Sequence, residues 1–276
     1  MLLFIWPQPS QADCTLIVTA GDDINACESG KSVGITDLQG NNTLSFPIGG
    51  TGTITGDIVY GQGSDLLKMN SGTIDGSVNL GNGMNTLLLN DGHITGSVTS
   101  GIGNDLFDVH SGTIDGSVDQ GNGRNIFRLF NGTISGSVIQ GTGNGTIQIS
   151  GGSAGAIIQG FGANNFTMSG GTVASVTQGD GSNVFTWRNG GLINGPIVTG
   201  NGNDLAFLTN LTDANLSSTP LIDGGLGSDQ LSFDNTTATT PSRYTNWETV
   251  ELNNGSVLTL GGDFKLGDSD SHTGTF

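Results

Sequence analysis

Apolar side chains recur at every second position through short stretches of this chain, and the stretches themselves recur at a fixed spacing. In residues 71–90, SGTIDGSVNLGNGMNTLLLN, the residues Ile74, Gly76 and Val78 alternate with Thr73, Asp75 and Ser77, and Leu87 and Leu89 stand between Thr86, Leu88 and Asn90. A period of two is that of a strand with one buried face. The same inward set returns as Ile94, Val98, Phe107, Val109, then Ile114, Val118, Phe127, Leu129, then Ile134, Val138, Ile147, Ile149. Three further copies follow, ending on Ile193, Ile197 and Leu208, with slightly altered spacing. Glycines at 81 and 83, 101 and 103, 121 and 123, 141 and 143 separate the strands. Glycine accepts positive φ, so these are the corners at which the chain turns.

Two short strands and two corners in about twenty residues make one coil that buries too little to stand alone and has to stack on its copies. The expected fold is therefore all-β, a right-handed parallel β-helix with coils of about twenty residues. Residues 51–209 would form eight coils, a rod of roughly 38 Å at ~4.8 Å per coil. Residues 13–50 lack the spacing and are expected to cap the first coil, while residues 210–276 are expected to add further coils and end in a truncated C-terminus. An antiparallel sandwich would explain the strand content but not the return of one residue type every twenty positions.

Composition narrows the functions. Glycine supplies 49 of 276 residues, which disfavours helices. Net charge is −17 although only 11% of residues are charged, and the seven basic residues form no run. Nucleic-acid binding and adhesion to anionic lipid both need a basic footprint and are not expected. There is no run of about 18 apolar residues, so no transmembrane helix is expected. Residues 1–12, MLLFIWPQPSQA, have the apolar stretch and small-residue end of a partial secretory signal peptide. Cys14 and Cys27, the chain's two cysteines, read as a disulfide in an exported protein, the alternative being two buried thiols.

The C-terminal third carries the strings GGLGSDQLSFD (224–234) and NWETVELNNGSVLTL (246–260), followed by a Gly- and Asp-rich tail. Together with the upstream repeats and the cysteine pair after the signal, these resemble the passenger domains of Gram-negative autotransporters. The resemblance covers most of residues 13–276. It implies a β-helical passenger at the cell surface or outside the cell, exported by an outer-membrane barrel, and meeting a host-cell or matrix receptor. A barrel needs many alternating strands of ~10 residues. This sequence does not contain them, so the export partner would lie outside it.

A second resemblance concerns calcium. GGLGSDQLS (224–232) is similar to the calcium-binding nonapeptide of RTX proteins, and partial matches place Asp65, Asp105 and Asp204 beside Asp229 as candidate ligands. Asn85, Asn125, Asn164 and Asn183 hold the equivalent place in other coils, and Gly145 in another, which favours a hydrogen-bonded side-chain ladder over a row of metal sites. If calcium binds, the pair Asp204 and Asp229 is the expected place.

Catalytic signals are weak. His93 and His110 fall on outward positions, and there is no His-Glu-x-x-His. Gly267-Asp268-Ser269-Asp270-Ser271 resembles the nucleophile loop of serine proteases, but no surrounding domain supplies the rest of a triad. Asp75 and Asp115 project outward two coils apart, about 10 Å, and could form the carboxylate pair of a carbohydrate-active enzyme. Thr95 lies between them, with nothing basic nearby. An outward row of Thr53, Thr73, Thr113, Thr133 and Thr172 suggests an ice-ordering face, but His93 interrupts it. A second outward row mixes Leu66, Leu106, Ile126, Val184 and Leu205 with Arg128, Phe130 and Arg188, and is a candidate contact face. The expectation is a non-enzymatic surface rod without a cofactor, calcium excepted.

Overall fold

The computed structural model describes residues 13–268, and the partial signal at 1–12 and the Ser269 loop lie outside them or at their edge. The chain winds into an all-β parallel solenoid of about 12 turns with coils of about twenty residues. One stack of strands runs its length: Ile24–Ala26, Thr43–Phe46, Leu66–Asp75, Thr86–Ile94, Leu106–Val109, Ile126–Leu129, Thr146–Ile149, Asn165–Met168, Val184–Arg188, Leu205–Thr209, Gln230–Asp234 and Thr249–Asn253. Each pairs in parallel with the next, so that Leu87 meets Phe107, Phe107 meets Phe127 and Phe127 meets Ile147. A second stack runs through Thr53, Thr73, His93, Thr113 and Thr133, and a third through Val78, Val98, Val118 and Val138.

The register explains the core. Identical spacing puts like residues above one another, and Leu67, Leu87, Phe107, Phe127, Ile147, Phe166 and Phe185 form one wholly buried column. Phe166 and Phe185 stack with ring centroids 5.4 Å apart. The corners depend on glycine. At Gly123 (φ +145°) a Cβ would lie 1.5 Å from the carbonyl oxygen of Gly103 on the preceding coil. Successive coils are therefore separated at the corner by less than the thickness of a side chain.

Where coils lengthen, the excess leaves the rod. Leu205 pairs with Gln230 across 25 residues, and the added chain buries Leu211 and forms a short helix, Asp213–Leu216, that buries Leu216.

Residues 13–50 differ from an irregular cap. The strands Ile24–Ala26, Lys31–Asp37 and Thr43–Phe46 pair in parallel with those of the following coils and extend the ladder backwards. A closing segment is confined to residues 13–19. There Cys14 is bonded to Cys27, Thr15 bridges antiparallel to Ala26, Ile17 exchanges two hydrogen bonds with the Asn25 side chain, and Thr19 donates twice to Asp23.

Candidate functional site: a buried column of carboxylates and amides

One corner of most coils points a short polar side chain inward, two positions after the G-x-G turn. The register makes these side chains a column. The backbone N–H of Asn42 donates to Asp65 Oδ1 at 2.7 Å, that of Asp65 to Asn85 Oδ1 at 3.0 Å, that of Asn85 to Asp105 at 2.7 Å and that of Asp105 to Asn125 at 2.9 Å. The series resumes from Gly145 through Asn164 and Asn183 to Asp204, Asp229 and Glu248, with distances of 2.7–3.0 Å. Each acceptor is nearly or wholly buried. The four aspartates singled out in the sequence thus share one column, and Glu248 joins them from a coil where no G-x-G turn announces it.

Asparagine and aspartate behave differently in this column. The Asn85 amide donates to the Gly81 carbonyl at 3.0 Å, Asn164 to Gly160 at 2.7 Å and Asn183 to Gly179 at 2.7 Å. An ionised aspartate has no such donor. Asp105 has a substitute, because Ser100 Oγ donates to its Oδ2 at 2.8 Å. The Oδ2 atoms of Asp65, Asp204 and Asp229 and Oε1 of Glu248 are buried without a hydrogen-bond partner. An unpaired buried charge is costly, which favours the protonated form of a buried aspartate. Burial, opposed by the backbone hydrogen bonds, raises all four aspartates, Asp204 to about 6 and Asp229 to about 7. For Asp229 the neighbouring Asp204, Glu248 and Asp268 raise it further.

Among the described residues no group of three or more His, Cys, Asp or Glu side chains converges as a metal cage. Unpartnered carboxylate oxygens of Asp204, Asp229 and Glu248 do fall on successive coils.

A second polar column is one that the alternating pattern does not announce. Gln140 Nε2 donates to Gln120 Oε1 at 2.8 Å, Gln159 to Gln140 at 2.8 Å and Gln178 to Gln159 at 3.1 Å, all buried. A signal for it exists, since each glutamine sits two positions after an inward Val or Ile and directly before a corner glycine. Gly145 breaks the first column beside the second, where a Cβ would fall 2.2 Å from Gln140 Oε1.

The outward candidates lie where the sequence placed them but do not assemble into a catalytic group. His93 lies in the threonine row and contacts Asp115 Oδ2 at 2.8 Å. Asp75 accepts a hydrogen bond from Thr95 at 3.3 Å. Asp75 and Asp115 each have their own partner on a neighbouring coil and do not face each other across a cleft. His110 stacks on Phe130 with centroids 4.3 Å apart, and Arg128 reaches Asp108 at 3.3 Å. In the mixed apolar row Leu66, Leu106, Ile126 and Val184 are half-buried and Leu205 is exposed.

No protein-family model matches the chain. No curated protein matches it either. Among solved structures it is similar in fold to a hyperactive, Ca2+-dependent, β-helical antifreeze protein from an Antarctic bacterium, with a TM-score of 0.57 and 17% identity over 90% of this chain and 75% of that one.

Proposed function

We propose that this chain is a non-enzymatic, exported passenger of autotransporter type, a stiff β-helical rod that presents adhesive surface to a host-cell or matrix receptor outside a Gram-negative cell. The observation that carries the reading is the uninterrupted ladder from Ile24 to Asn253, with an apolar interior, two buried polar columns and a disulfide-tied N-terminal end. Such a body resists bending because each coil is bonded along its length to two others. Outward side chains carry no packing duty and are free to vary for recognition. The resemblance of residues 224–260 to passenger sequences supports the surface assignment and an outer-membrane barrel as export partner.

The test is adhesion. Purified rod is applied to cultured epithelial cells and to immobilised matrix proteins. The reading expects saturable binding to at least one, competed by unlabelled rod. Absence of saturable binding, with cleavage of any polysaccharide in a panel, would replace it with a carbohydrate-active enzyme.

One observation favours a second reading, a calcium-stabilised solenoid of RTX type. The orphaned oxygens of Asp204, Asp229 and Glu248 would be satisfied by a hard divalent cation. The solved structure similar in fold is Ca2+-dependent. Bound there, calcium would supply charge neutralisation and cross-link the last coils. The structure similar in fold is also that of an antifreeze protein, but in this chain the His93–Asp115 contact, Ser153 and Leu192 interrupt the threonine row that an ice-ordering face would need.

A further inference from the structure

The outward residue directly after each G-x-G turn forms a column of its own, in which Asn104, Arg124 and Asn144 follow one another on successive coils of the middle of the rod. No other coil carries a basic residue at that place. The backbone fixes how the two amides point. Asn104 Oδ1 accepts the N–H of Arg124 at 2.8 Å, and Asn144 Oδ1 accepts that of Ala163 at 3.0 Å. Each oxygen is thus turned to the next coil, and each exposed Nδ2 keeps two donors without a partner among the described residues. The Arg124 guanidinium is exposed as well and belongs to no ion pair among the described residues, whereas Arg128, four positions on, is engaged by Asp108. With Asn125, Ile126 and Thr146 these three side chains line a notch of about 290 Å³. The chain has 24 acidic residues, yet none borders it. The flanking columns place Ile102, Asn122 and Thr142 on one side and Leu106, Ile126 and Thr146 on the other. The acids nearest in sequence are engaged elsewhere: Asp105 is buried and receives Ser100 Oγ, Asp108 holds Arg128, and Asp119 accepts the Gly121 N–H. The notch is therefore rich in donors and lacks an acceptor.

We propose that this notch binds an acidic sugar, one that carries a single oxyanion as a sulfate ester, a phosphate ester or a uronic carboxylate. Arg124 supplies the charge and a planar fork that matches two oxygens of such a group. Asn104 and Asn144 donate to the sugar and its oxyanion from the coils on either side, two coils or about 10 Å apart. The half-buried Ile126 gives the ring an apolar floor, and the notch is larger than an inorganic anion needs. A cation finds no free acceptor side chain comparable to these donors. The ligand class deepens the adhesive reading, on which its biological setting rests. Sugar binding is measured on the purified chain, so its failure leaves adhesion through another face standing, and a failure of cell adhesion leaves the notch standing.

The experiment follows the backbone amide shifts of the intact chain by NMR at constant ionic strength. Glucose 6-sulfate, glucose 6-phosphate, glucuronate, glucose and inorganic sulfate are titrated in turn. Saturable shifts centred on Asn104, Arg124 and Asn144 are expected with at least one charged sugar, and the tightest of the three identifies the oxyanion. Glucose and inorganic sulfate are expected to bind at least about tenfold more weakly. Arg124→Gln is expected to weaken the charged sugar at least about tenfold. Asn144→Asp keeps the oxygen that accepts the Ala163 N–H, so the ladder and the melting temperature are expected to hold. It sets a carboxylate against the ligand, and the same loss of affinity is expected. Inorganic sulfate binding as tightly as the charged sugars would mean an adventitious ion only. That result, equal binding of glucose, unchanged affinity in either variant, or no saturable shift with any probe would each overturn the assignment.

Discussion

At Asn164 and Asn183 the side-chain amide accepts a backbone N–H from one coil and returns a hydrogen bond to a corner carbonyl, so every polar atom of the pair is used. At Asp204 and Asp229 the same geometry leaves Oδ2 unpartnered. The difference is one donor, and it makes the last coils pH-sensitive. Burial raises the folded values to about 6 and about 7 from an ordinary 3.8. A raised value means that the folded state holds the proton longer than the unfolded chain. The contribution is therefore complete below pH 3.8, declines above it and is gone once pH passes the folded values. Asp229→Asn supplies the missing donor without the charge. We expect the variant to melt above the parent at pH 8, by roughly 1–2 kcal/mol of stability, and to lose this advantage at pH 4, as thermal unfolding at the two pH values would show. The column could be read in the sequence from the recurring Asp and Asn after G-x-G. The split between satisfied amide and orphaned acid could not, because it depends on the folded distance to a corner carbonyl four residues earlier and on burial of the second oxygen. The glutamine column escapes a sequence reading for another reason: in a pattern search glutamine counts as polar and outward, whereas stacking on its own kind lets it be buried.

Strands and corners were legible because their cause is local. Alternation of Ile, Val, Leu and Phe with polar residues fixes which face turns inward, and a repeated spacing forces a parallel register. The N-terminal strands escaped this reading. Thr43–Phe46 alternates correctly, with Leu44 and Phe46 inward, but it follows its partner by 19 residues and precedes the next by 23. Spacing that uneven hides a coil which the backbone ladder still accepts. The corners are less tolerant. Gly123→Ala would place a methyl group 1.5 Å from the Gly103 carbonyl oxygen at a φ of +145°. We expect it to cost at least about 2 kcal/mol and to separate the coils locally. Gly255→Ala is the control, since Gly255 has φ +76° but nothing within 4 Å of the added Cβ. Strain alone should cost it about 1 kcal/mol. Denaturant unfolding of the two variants measures both; equal losses would mean that backbone conformation, not the approach of neighbouring coils, sets the glycine requirement.

A rod whose coils touch only their neighbours can open from an end without losing its middle. The Cys14–Cys27 disulfide sits at the closed end, and reducing it should cost about 2–3 kcal/mol locally. Hydrogen exchange would then quicken in Ile24–Ala26 and Thr43–Phe46 while Ile126–Leu129 and Val184–Arg188 stay protected. Uniform loss of protection would instead make the rod a single cooperative unit. What holds the solenoid is its apolar columns and its internal hydrogen-bond ladders. Thermal unfolding of the purified chain at pH 7, with excess chelator and with calcium in turn, tests this most directly. We expect the two melting curves to coincide. A melting temperature that climbs with calcium concentration, as mass action requires of a ligand bound only by the folded state, would contradict it and make the orphaned carboxylates of Asp204, Asp229 and Glu248 a metal site.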